Sequence, residues 1–218
     1  MIELKDLTIG YNKYEPIVKN LNYTFKDNMI YGIIGESGIG KSTMLKTIAG
    51  LLKPINGEVL KDGKQIKNAG KEDIYMMFQN YTCFDWLTCL DNVTIAKRIK
   101  GSISDEDIND AKQRLIDVGL EERMSYYPTQ LSGGQKQRLA LARTLFMDPY
   151  AVLMDEPLSA LDEKTRSEMQ SLIVKDHEND KNIIIMITHS TDEAKRMCNK
   201  ILEFTKGGLK EWDSKIYS

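Results

Sequence analysis

The chain has 218 residues, with 30 lysines and arginines against 32 aspartates and glutamates. This length suits one large α/β domain and excludes a disulfide-stabilised miniprotein. The net charge of −2 provides no overall basic field, so we expect no nucleic-acid partner. Hydrophobic residues at 41% and charged residues at 28% are typical of a globular protein rather than a disordered one.

Membrane-spanning and disulfide-rich classes are also disfavoured. The longest apolar run, Ile183–Ile187, is far shorter than the roughly 20 residues that span a bilayer. The first ten residues carry acidic side chains and no apolar signal segment, so we expect a cytosolic protein. Cys83, Cys89 and Cys198 are odd in number and form no CxxC pair, which predicts reduced, apolar packing residues rather than a zinc site.

Alternating apolar residues predict an antiparallel β layer within about residues 1–30 and 57–67. In the second part, Glu58–Leu60 is followed by Lys61-Asp62-Gly63, a pattern typical of a strand that enters a tight turn. Four short apolar runs each suit a strand that is buried on both faces of a parallel sheet. These runs are Tyr31–Ile34, Ile74–Phe78, Ala151–Met154 and Ile183–Ile187.

Helices are predicted between and after the later strands. Residues 80–147 are predicted to be a helical subdomain, because several apolar residues share one face at helical spacing: Ile108, Ala111, Leu115 and Val118. A further helix is predicted to begin near Asp162 and to bury Met169, Leu172 and Ile173. Because the sequence contains no internal repeat and no linker, residues 1–218 are predicted to form a single α/β domain. The residues outside the antiparallel layer and the helical subdomain are predicted to form its core.

A glycine-rich motif directly follows the run Tyr31–Ile34. Residues 35–42, GESGIGKS, fit the pattern G-x-x-x-x-G-K-[ST], in which backbone N–H groups and the next helix N-terminus bind phosphate. Lys41 would contact the β- and γ-phosphates, and Ser42 would ligate Mg²⁺. We therefore predict a P-loop NTPase core rather than a merely flexible loop, with these nucleotide-binding residues: Gly35, Glu36, Ser37, Gly38, Ile39, Gly40, Lys41, Ser42 and Thr43.

Two adjacent acids end the run Ala151–Met154. At the C-terminal edge of an α/β sheet, where ligands bind, Asp155 could hold Mg²⁺ through its water shell. Side chains alternate along a strand, so Glu156 could face an attacking water and act as a base. The alternative is a pair of solvated acids, which the preceding phosphate motif disfavours.

The segment Leu131-Ser132-Gly133-Gly134-Gln135 predicts a serine-capped helix N-terminus. With this LSGGQ segment, the sequence resembles the ATP-binding cassette family, the nucleotide-binding subunits of ABC transporters. The resemblance implies ATP hydrolysis with Mg²⁺ and a head-to-tail dimer with a second copy or a related cassette. In that dimer, Ser132, Gly133, Gly134 and Gln135 would close the nucleotide site of the partner.

The resemblance also implies roles for four further residues. Tyr11 matches the aromatic that stacks on adenine, although alone it would be read as a core aromatic. Gln79 matches the glutamine that senses Mg²⁺ and the attacking water. Asp162 lies in the loop that links the two nucleotide sites, and His189 matches the histidine that contacts the γ-phosphate. The only other histidine, His177, is expected to be solvated.

The segment at residues 81–93 is similar to that of nitrate, sulfonate and taurine importer ATPases. The resemblance implies permease subunits, a solute-binding protein in the same system and a place at the inner face of the cell membrane. Phe84 and Trp86 would be anchors for the permease, unless Trp86 packs in the core. The alternative is a non-transport ABC ATPase that acts on a division, lipoprotein or iron–sulfur assembly partner; a kinase or GTPase is disfavoured by LSGGQ.

Overall fold

The computed structural model describes residues 1–69, 73–101 and 103–212, and predictions for positions outside these ranges lie outside the described residues. The chain divides into two compact units. The first contains residues 1–76, 150–156 and those from 177 onward, and the second contains residues 77–149 and 157–176. No helix in the described part of the chain is both long and apolar enough to cross a bilayer.

A six-stranded sheet forms the centre of the fold. Its order is β10 (Gly208–Glu211), β9 (Lys200–Thr205), β3 (Met29–Ile34), β8 (Ile183–Ile187), β7 (Ala151–Asp155) and β6 (Ile74–Met77). The pairs of β3 with β8, β3 with β9, and β7 with β8 are parallel. Strands occur at all four predicted runs: Ile183–Ile187 has the predicted bounds, and the others differ by one or two residues. The prediction of burial on both faces is wrong for β6, an edge strand in which only Ile74 and Met77 are buried. Strands β9 and β10 were not predicted.

Strands β7 and β8 are apolar up to the Asp155 that ends β7, because both of their faces are covered. Every residue of β7 and β8 is buried. The register pairs Asp155, the last residue of β7, with Ile187, the last residue of β8. The C-terminal ends of these strands therefore meet at one edge of the sheet, which is the edge where the acids Asp155 and Glu156 were expected.

The predicted antiparallel layer is a four-stranded sheet with the order β2 (Val18–Phe25), β1 (Ile2–Ile9), β4 (Asn56–Lys61) and β5 (Lys64–Gln65). The tight turn is confirmed, because Lys61 pairs with Lys64 across Asp62 and Gly63, which both have positive φ. One boundary differs from the prediction: Met29 and Ile30 belong to β3 of the central sheet.

Helices dominate the second unit. It contains α2 (Cys89–Lys100), α3 (Asp105–Asp117), α4 (Gly133–Leu145) and most of α5 (Glu163–Asp180), whereas α1 (Lys41–Ile48) and α6 (Thr191–Met197) belong to the first unit. Helices α2, α3 and α4 pack against one another. The predicted apolar face of α3 is confirmed, since Ala111, Leu115 and Val118 are buried.

The expectation for His177 is wrong. The stretch that contains it is the last part of α5, and the His177 side chain is only 8% exposed. Its Nδ1 atom lies 3.2 Å from Oδ1 of Asn182, which is also buried. The polar residues around His177 suggested a solvated segment. In the structure, α5 turns His177 inward, where Asn182 is its hydrogen-bonding partner.

Candidate functional site

The glycine-rich motif forms a loop between β3 and α1. Gly38 and Gly40 adopt φ values of 75° and 112°, which side chains other than glycine rarely adopt. At Gly40, an added Cβ would also lie 2.3 Å from Cγ2 of Ile17. The strand, loop and helix thus occur in the order that the phosphate-binding motif requires.

The Lys41 side chain is folded into this loop. Its ammonium group donates hydrogen bonds to the carbonyl oxygens of Gly35 at 2.8 Å and Glu36 at 2.7 Å, and the residue is 6% exposed. Burial lowers the pKa of Lys41, while the nearby carboxylates of Glu156 and Asp155 act in the opposite direction. A cation held among backbone oxygens and two acids is therefore present beside the first helix N–H groups, which is where phosphate oxygens bind in such loops.

Asp155 lies at the end of β7 and is 3% exposed. Burial raises the pKa of its carboxyl group, whereas a hydrogen bond with the Ser42 side chain lowers it. Its Oδ1 atom is buried and has no hydrogen-bond partner among the residues that the structure describes. A buried carboxylate oxygen with no partner, next to a serine hydroxyl, is a donor set that suits Mg²⁺, which binds through few carboxylates and retains water.

Glu156 and His189 contact each other at the same sheet edge. Nε2 of His189 lies 2.9 Å from Oε1 of Glu156, and their side chains are 49% and 18% exposed. Glu156 has a φ of 52°, in the left-handed region, while its N–H donates to the carbonyl oxygen of Ile187 at 3.1 Å. Such backbone conformations in residues other than glycine concentrate at functional sites.

Tyr11 lies in the same unit and is exposed, so its reading as a core aromatic is wrong. Its side chain is 72% exposed, and its hydroxyl accepts a hydrogen bond from Oγ1 of Thr43 at 3.4 Å. The aromatic ring is therefore connected to the helix that follows the phosphate loop, and its faces are available to a ligand.

In the second unit, Ser132 caps α4 as predicted. Its hydroxyl accepts from the N–H of Gln135 at 3.3 Å, and the Gln135 side chain accepts from the N–H of Ser132 at 2.9 Å. This capping box leaves Ser132 and Gly133 exposed at the start of the helix. An added Cβ at Gly134 would lie 3.3 Å from the carbonyl oxygen of Ala160, so this glycine permits a close approach of the 159–162 loop.

Asp162 is connected to the same helix through its loop. Its Oδ1 accepts from the N–H of Thr165 at 3.1 Å, and this bond lowers the pKa of Asp162. The N–H of Ala160 donates to Oε1 of Gln137 at 3.0 Å. Sequence reasoning missed Gln137, which is 1% exposed. Its position on the apolar side of a helix could have indicated that it has a buried hydrogen-bonding partner.

Gln79 is exposed, two residues after the end of β6. Farther along this segment, the hydroxyl of Tyr81 lies 3.3 Å from Oγ of Ser159. The first unit thus brings together Tyr11, the phosphate loop, Asp155, Glu156 and His189. Gln79, the Ser132–Gln135 segment and Asp162 belong to the second unit.

Trp86 is 74% exposed, so its packing in the core is excluded. Its ring centroid lies 5.5 Å from that of the half-buried Phe84. The loop that carries both aromatic residues is fixed by Asn92, which is fully buried. The Asn92 side chain accepts from the N–H of Phe84 at 2.8 Å, and its Nδ2 atom, with two protons, lies 3.0 Å from three backbone carbonyl oxygens, those of Phe84, Leu87 and Thr88.

Sequence comparison decides the family. The profile described as ABC transporter matches residues 18–159, more than half of the chain. The chain belongs to the ABC transporter family. It is an ATPase of the ABC type, which agrees with the resemblance and excludes the kinase and GTPase reading.

Several known proteins are similar to this ABC ATPase. An uncharacterized ABC transporter ATP-binding protein of Methanocaldococcus jannaschii is 43% identical over 88% of this chain and 72% of its own length. A methionine import ATP-binding protein of Listeria monocytogenes is 36% identical over 97% of this chain. A taurine import ATP-binding protein of Pelagibacter ubique is 41% identical over 81%. The chain spans about two thirds of these two importers, 65% and 66% of their lengths.

Solved structures agree with the family. The dimeric structure of a post-hydrolysis state of an ATP-binding cassette, bound to ADP and Pi, has a TM-score of 0.86 and 33% identity. The similarity covers 97% of each chain. The predicted fold class is thereby confirmed: a P-loop NTPase core with a mostly parallel sheet, an antiparallel N-terminal layer and a helical subdomain.

Proposed function

We propose that this chain is the nucleotide-binding subunit of an ABC importer, in which ATP-driven closure and opening of a dimer powers transport. The observation that carries this proposal is the Glu156–His189 pair at 2.9 Å. The pair lies at the C-terminal edge of the central sheet, and the phosphate loop begins at the same edge, after β3. A base and a hydrogen-bonding group for the terminal phosphate thus accompany the phosphate loop within one compact unit.

The phosphate loop, residues 35–43, is proposed to bind the nucleotide. Its N–H groups and the N-terminus of α1 would hold the phosphates, and Lys41 would exchange its two backbone carbonyl contacts for the β- and γ-phosphate oxygens. Ser42 and Asp155 would hold Mg²⁺, which supplies charge neutralisation at the phosphates; Gln79 is the third proposed ligand. Tyr11, with its faces exposed, would stack on the adenine.

Glu156 is the proposed general base. It would accept a proton from the attacking water as the water oxygen forms a bond to the γ-phosphorus and the bond to the leaving ADP oxygen breaks. His189 would hold Glu156 in the ground state and contact the γ-phosphate during turnover. Gln79 would help to orient the water.

The second unit would act on the nucleotide of another copy. Ser132, Gly133, Gly134 and Gln135 form a helix N-terminus, exposed at Ser132 and Gly133, where the helix dipole favours an anion. Asp162 would lie at the junction of the two sites. The proposed partner is therefore a second copy of this chain or a related cassette, in head-to-tail orientation. The dimeric cassette structure with ADP and Pi supports this arrangement.

The remaining partners would be permease subunits and a solute-binding protein of the same system. The chain would then work in the cytoplasm, at the inner face of the membrane, with Phe84 and Trp86 as permease anchors. For the solute we propose a small oxyanion such as nitrate or a sulfonate. The segment at residues 81–93 and the taurine import relative support this class, while a methionine import relative matches over more of the chain.

The experiment that tests this function uses the Glu156→Gln variant, trapped with Mg-ATP in its own cells and purified from solubilised membranes. Recovery of a polytopic membrane protein in an approximately equimolar ratio would support the transport function and narrow the solute. Recovery of only soluble or single-span partners would overturn it in favour of the non-transport alternative. The same purification without ATP is the control for nonspecific recovery.

A further inference from the structure

The segment that carries His189 is fixed on both sides. The N–H of Thr188 donates to the carbonyl oxygen of Ile33 at 3.2 Å, which ties the end of β8 to β3. The N–H of Ser190 donates to Oγ1 of Thr188 at 3.0 Å. The residues before and after His189 are thus joined to each other through one threonine hydroxyl.

That hydroxyl in turn donates its proton to the carboxylate of Glu193. Thr188 is 3% exposed and Glu193 is 7% exposed, so this bond is shielded from water. A hydroxyl has one proton and two lone pairs. Because the proton is directed to Glu193, a lone pair of Thr188 remains available to Ser190.

Helix α6 completes a closed ring of contacts. Ser190 is its N-cap, and the Ser190 hydroxyl accepts from the N–H of Glu193 at 3.2 Å. In a capping box, the glutamate at this position would itself accept from the N-cap N–H. Here, Thr188 is inserted between them, so that the cap of α6 also fixes the backbone on both sides of His189.

We propose that Glu193, acting through the Thr188 hydroxyl, is a positioning residue that holds His189 toward Glu156. The His189 ring is about half exposed, so little packing restricts its direction. Its orientation depends on the backbone. The hydrogen-bonded ring of Thr188, Ser190 and Glu193 holds that backbone, and two of its members, Thr188 and Glu193, are buried. This inference rests on the proposed role of His189 in ATP hydrolysis.

The first experiment measures steady-state ATP hydrolysis by the full chain. Thr188→Val keeps the shape of the side chain but removes the hydroxyl, and Glu193→Leu removes the acceptor. We expect each change to lower kcat about tenfold with KM for ATP changed less than about twofold, because a displaced catalytic group affects turnover more than ground-state binding. Thr188→Ser and Glu193→Gln, which keep a donor and an acceptor, are expected to retain most of the turnover.

Thr94→Val is the matched control for a buried threonine. Thr94 is fully buried, and its hydroxyl donates to the carbonyl oxygen of Leu90 at 3.0 Å within α2. This variant is expected to lose some thermal stability but to keep kcat. Combining Thr188→Val with His189→Ala should lower turnover no further than His189→Ala alone, whereas a merely structural role of Thr188 would give an additional loss.

A second readout does not depend on hydrolysis. The chain has only 2 histidines, so the ring resonances of His189 and the buried His177 can be followed by NMR after nitrogen-15 labelling. In the nucleotide-free chain, Thr188→Val should shift the His189 ring resonances and leave those of His177 in place. A His177→Asn variant assigns the two sets.

Unchanged His189 resonances, or full turnover in both Thr188→Val and Glu193→Leu, would overturn the positioning role. A loss of kcat that is additive with His189→Ala would also overturn it. If His189→Ala itself retains full turnover, the proposed catalytic contribution of His189 fails. The NMR comparison, with Glu193→Leu measured beside Thr188→Val, would still decide whether Glu193 orients the ring through Thr188, so the two failures are distinguishable.

Discussion

The two compact units carry their functional residues in different ways. In the first unit, Asp155, Glu156 and His189 lie at or just after the ends of neighbouring buried strands. Their side chains bond to one another or to the phosphate-loop helix. In the second unit, Ser132 and Asp162 lie at exposed helix starts, and their side chains bond mainly to nearby backbone N–H groups.

The difference suggests a division of labour. Strand ends in a buried sheet hold titratable groups at fixed distances, which proton transfer requires. Exposed helix starts leave N–H groups available to an anion brought by another molecule. We therefore expect substitutions in the first unit to affect hydrolysis or nucleotide affinity directly, and substitutions at the start of α4 to act through dimer formation.

The largest expected effect is that of Glu156→Gln. Loss of the base should lower phosphate release by about 10²–10⁴-fold while ATP binding is retained, because an amide accepts no proton from water at neutral pH. The measurement is phosphate release together with fluorescent-nucleotide titration. The exposed Glu122→Gln substitution, in the second unit, is the control and should leave both values unchanged. Turnover retained in Glu156→Gln would refute the assignment of the base.

Lys41→Ala should come next, with at least a tenfold loss of ATP affinity. The variant removes the buried cation beside Asp155 and Glu156, so the phosphates would meet two acids without a compensating charge. Equilibrium titration with a fluorescent ATP analogue measures this loss. The exposed Lys206→Ala substitution should leave the affinity unchanged. An unaltered affinity in Lys41→Ala would contradict the proposed phosphate contact.

The second unit offers a matched pair of serine caps, Ser132 on α4 and Ser104 on α3, which both form capping boxes. Either Ser→Ala change should cost about 1 kcal/mol in the free energy of unfolding. Only Ser132→Ala should also weaken ATP-dependent dimerisation of the Glu156→Gln protein, measured by sedimentation velocity. Equal dimerisation of the two variants would show that the α4 start does not act on the partner.

The smallest effect is expected at the aromatic segment. Trp86→Ala should change the free energy of unfolding by less than about 0.5 kcal/mol, since exposed substitutions away from special contacts have small effects. Asn92→Ala should cost about 2–3 kcal/mol or more, because it leaves several loop groups without their buried partner. Urea unfolding measures both. A large loss in Trp86→Ala would mean that the tryptophan packs against the protein after all.

The chemistry of this protein was predictable where it depends on local sequence. The phosphate motif requires glycines at fixed spacing between a strand and a helix, and β3 and α1 have that order. The serine cap of α4 is likewise decided within four residues. The core strands could be predicted because both of their faces are covered, which forces every position to be apolar.

Features that depend on distant parts of the chain were missed or mistaken. The sequence around His177 is polar, but its burial depends on where the end of α5 lies relative to Asn182. Strands β9 and β10 were missed, because both mix polar with apolar residues and are only partly buried. Trp86 could not be assigned from its residue type, since tryptophan suits both a core and an exposed surface.

The sequence by itself determined that this is an ABC-type ATPase, because its phosphate-loop and LSGGQ motifs are short segments that can be recognised without knowledge of distant residues. Only the tertiary structure decided that Glu156 and His189 meet and that Thr188 joins Ser190 to Glu193. It also decided that Oδ1 of Asp155 is buried with no partner within the described ranges of the chain. The physical reason is that burial and side-chain distances depend on the packing of segments far apart in the sequence, whereas turn and cap preferences act within a few residues.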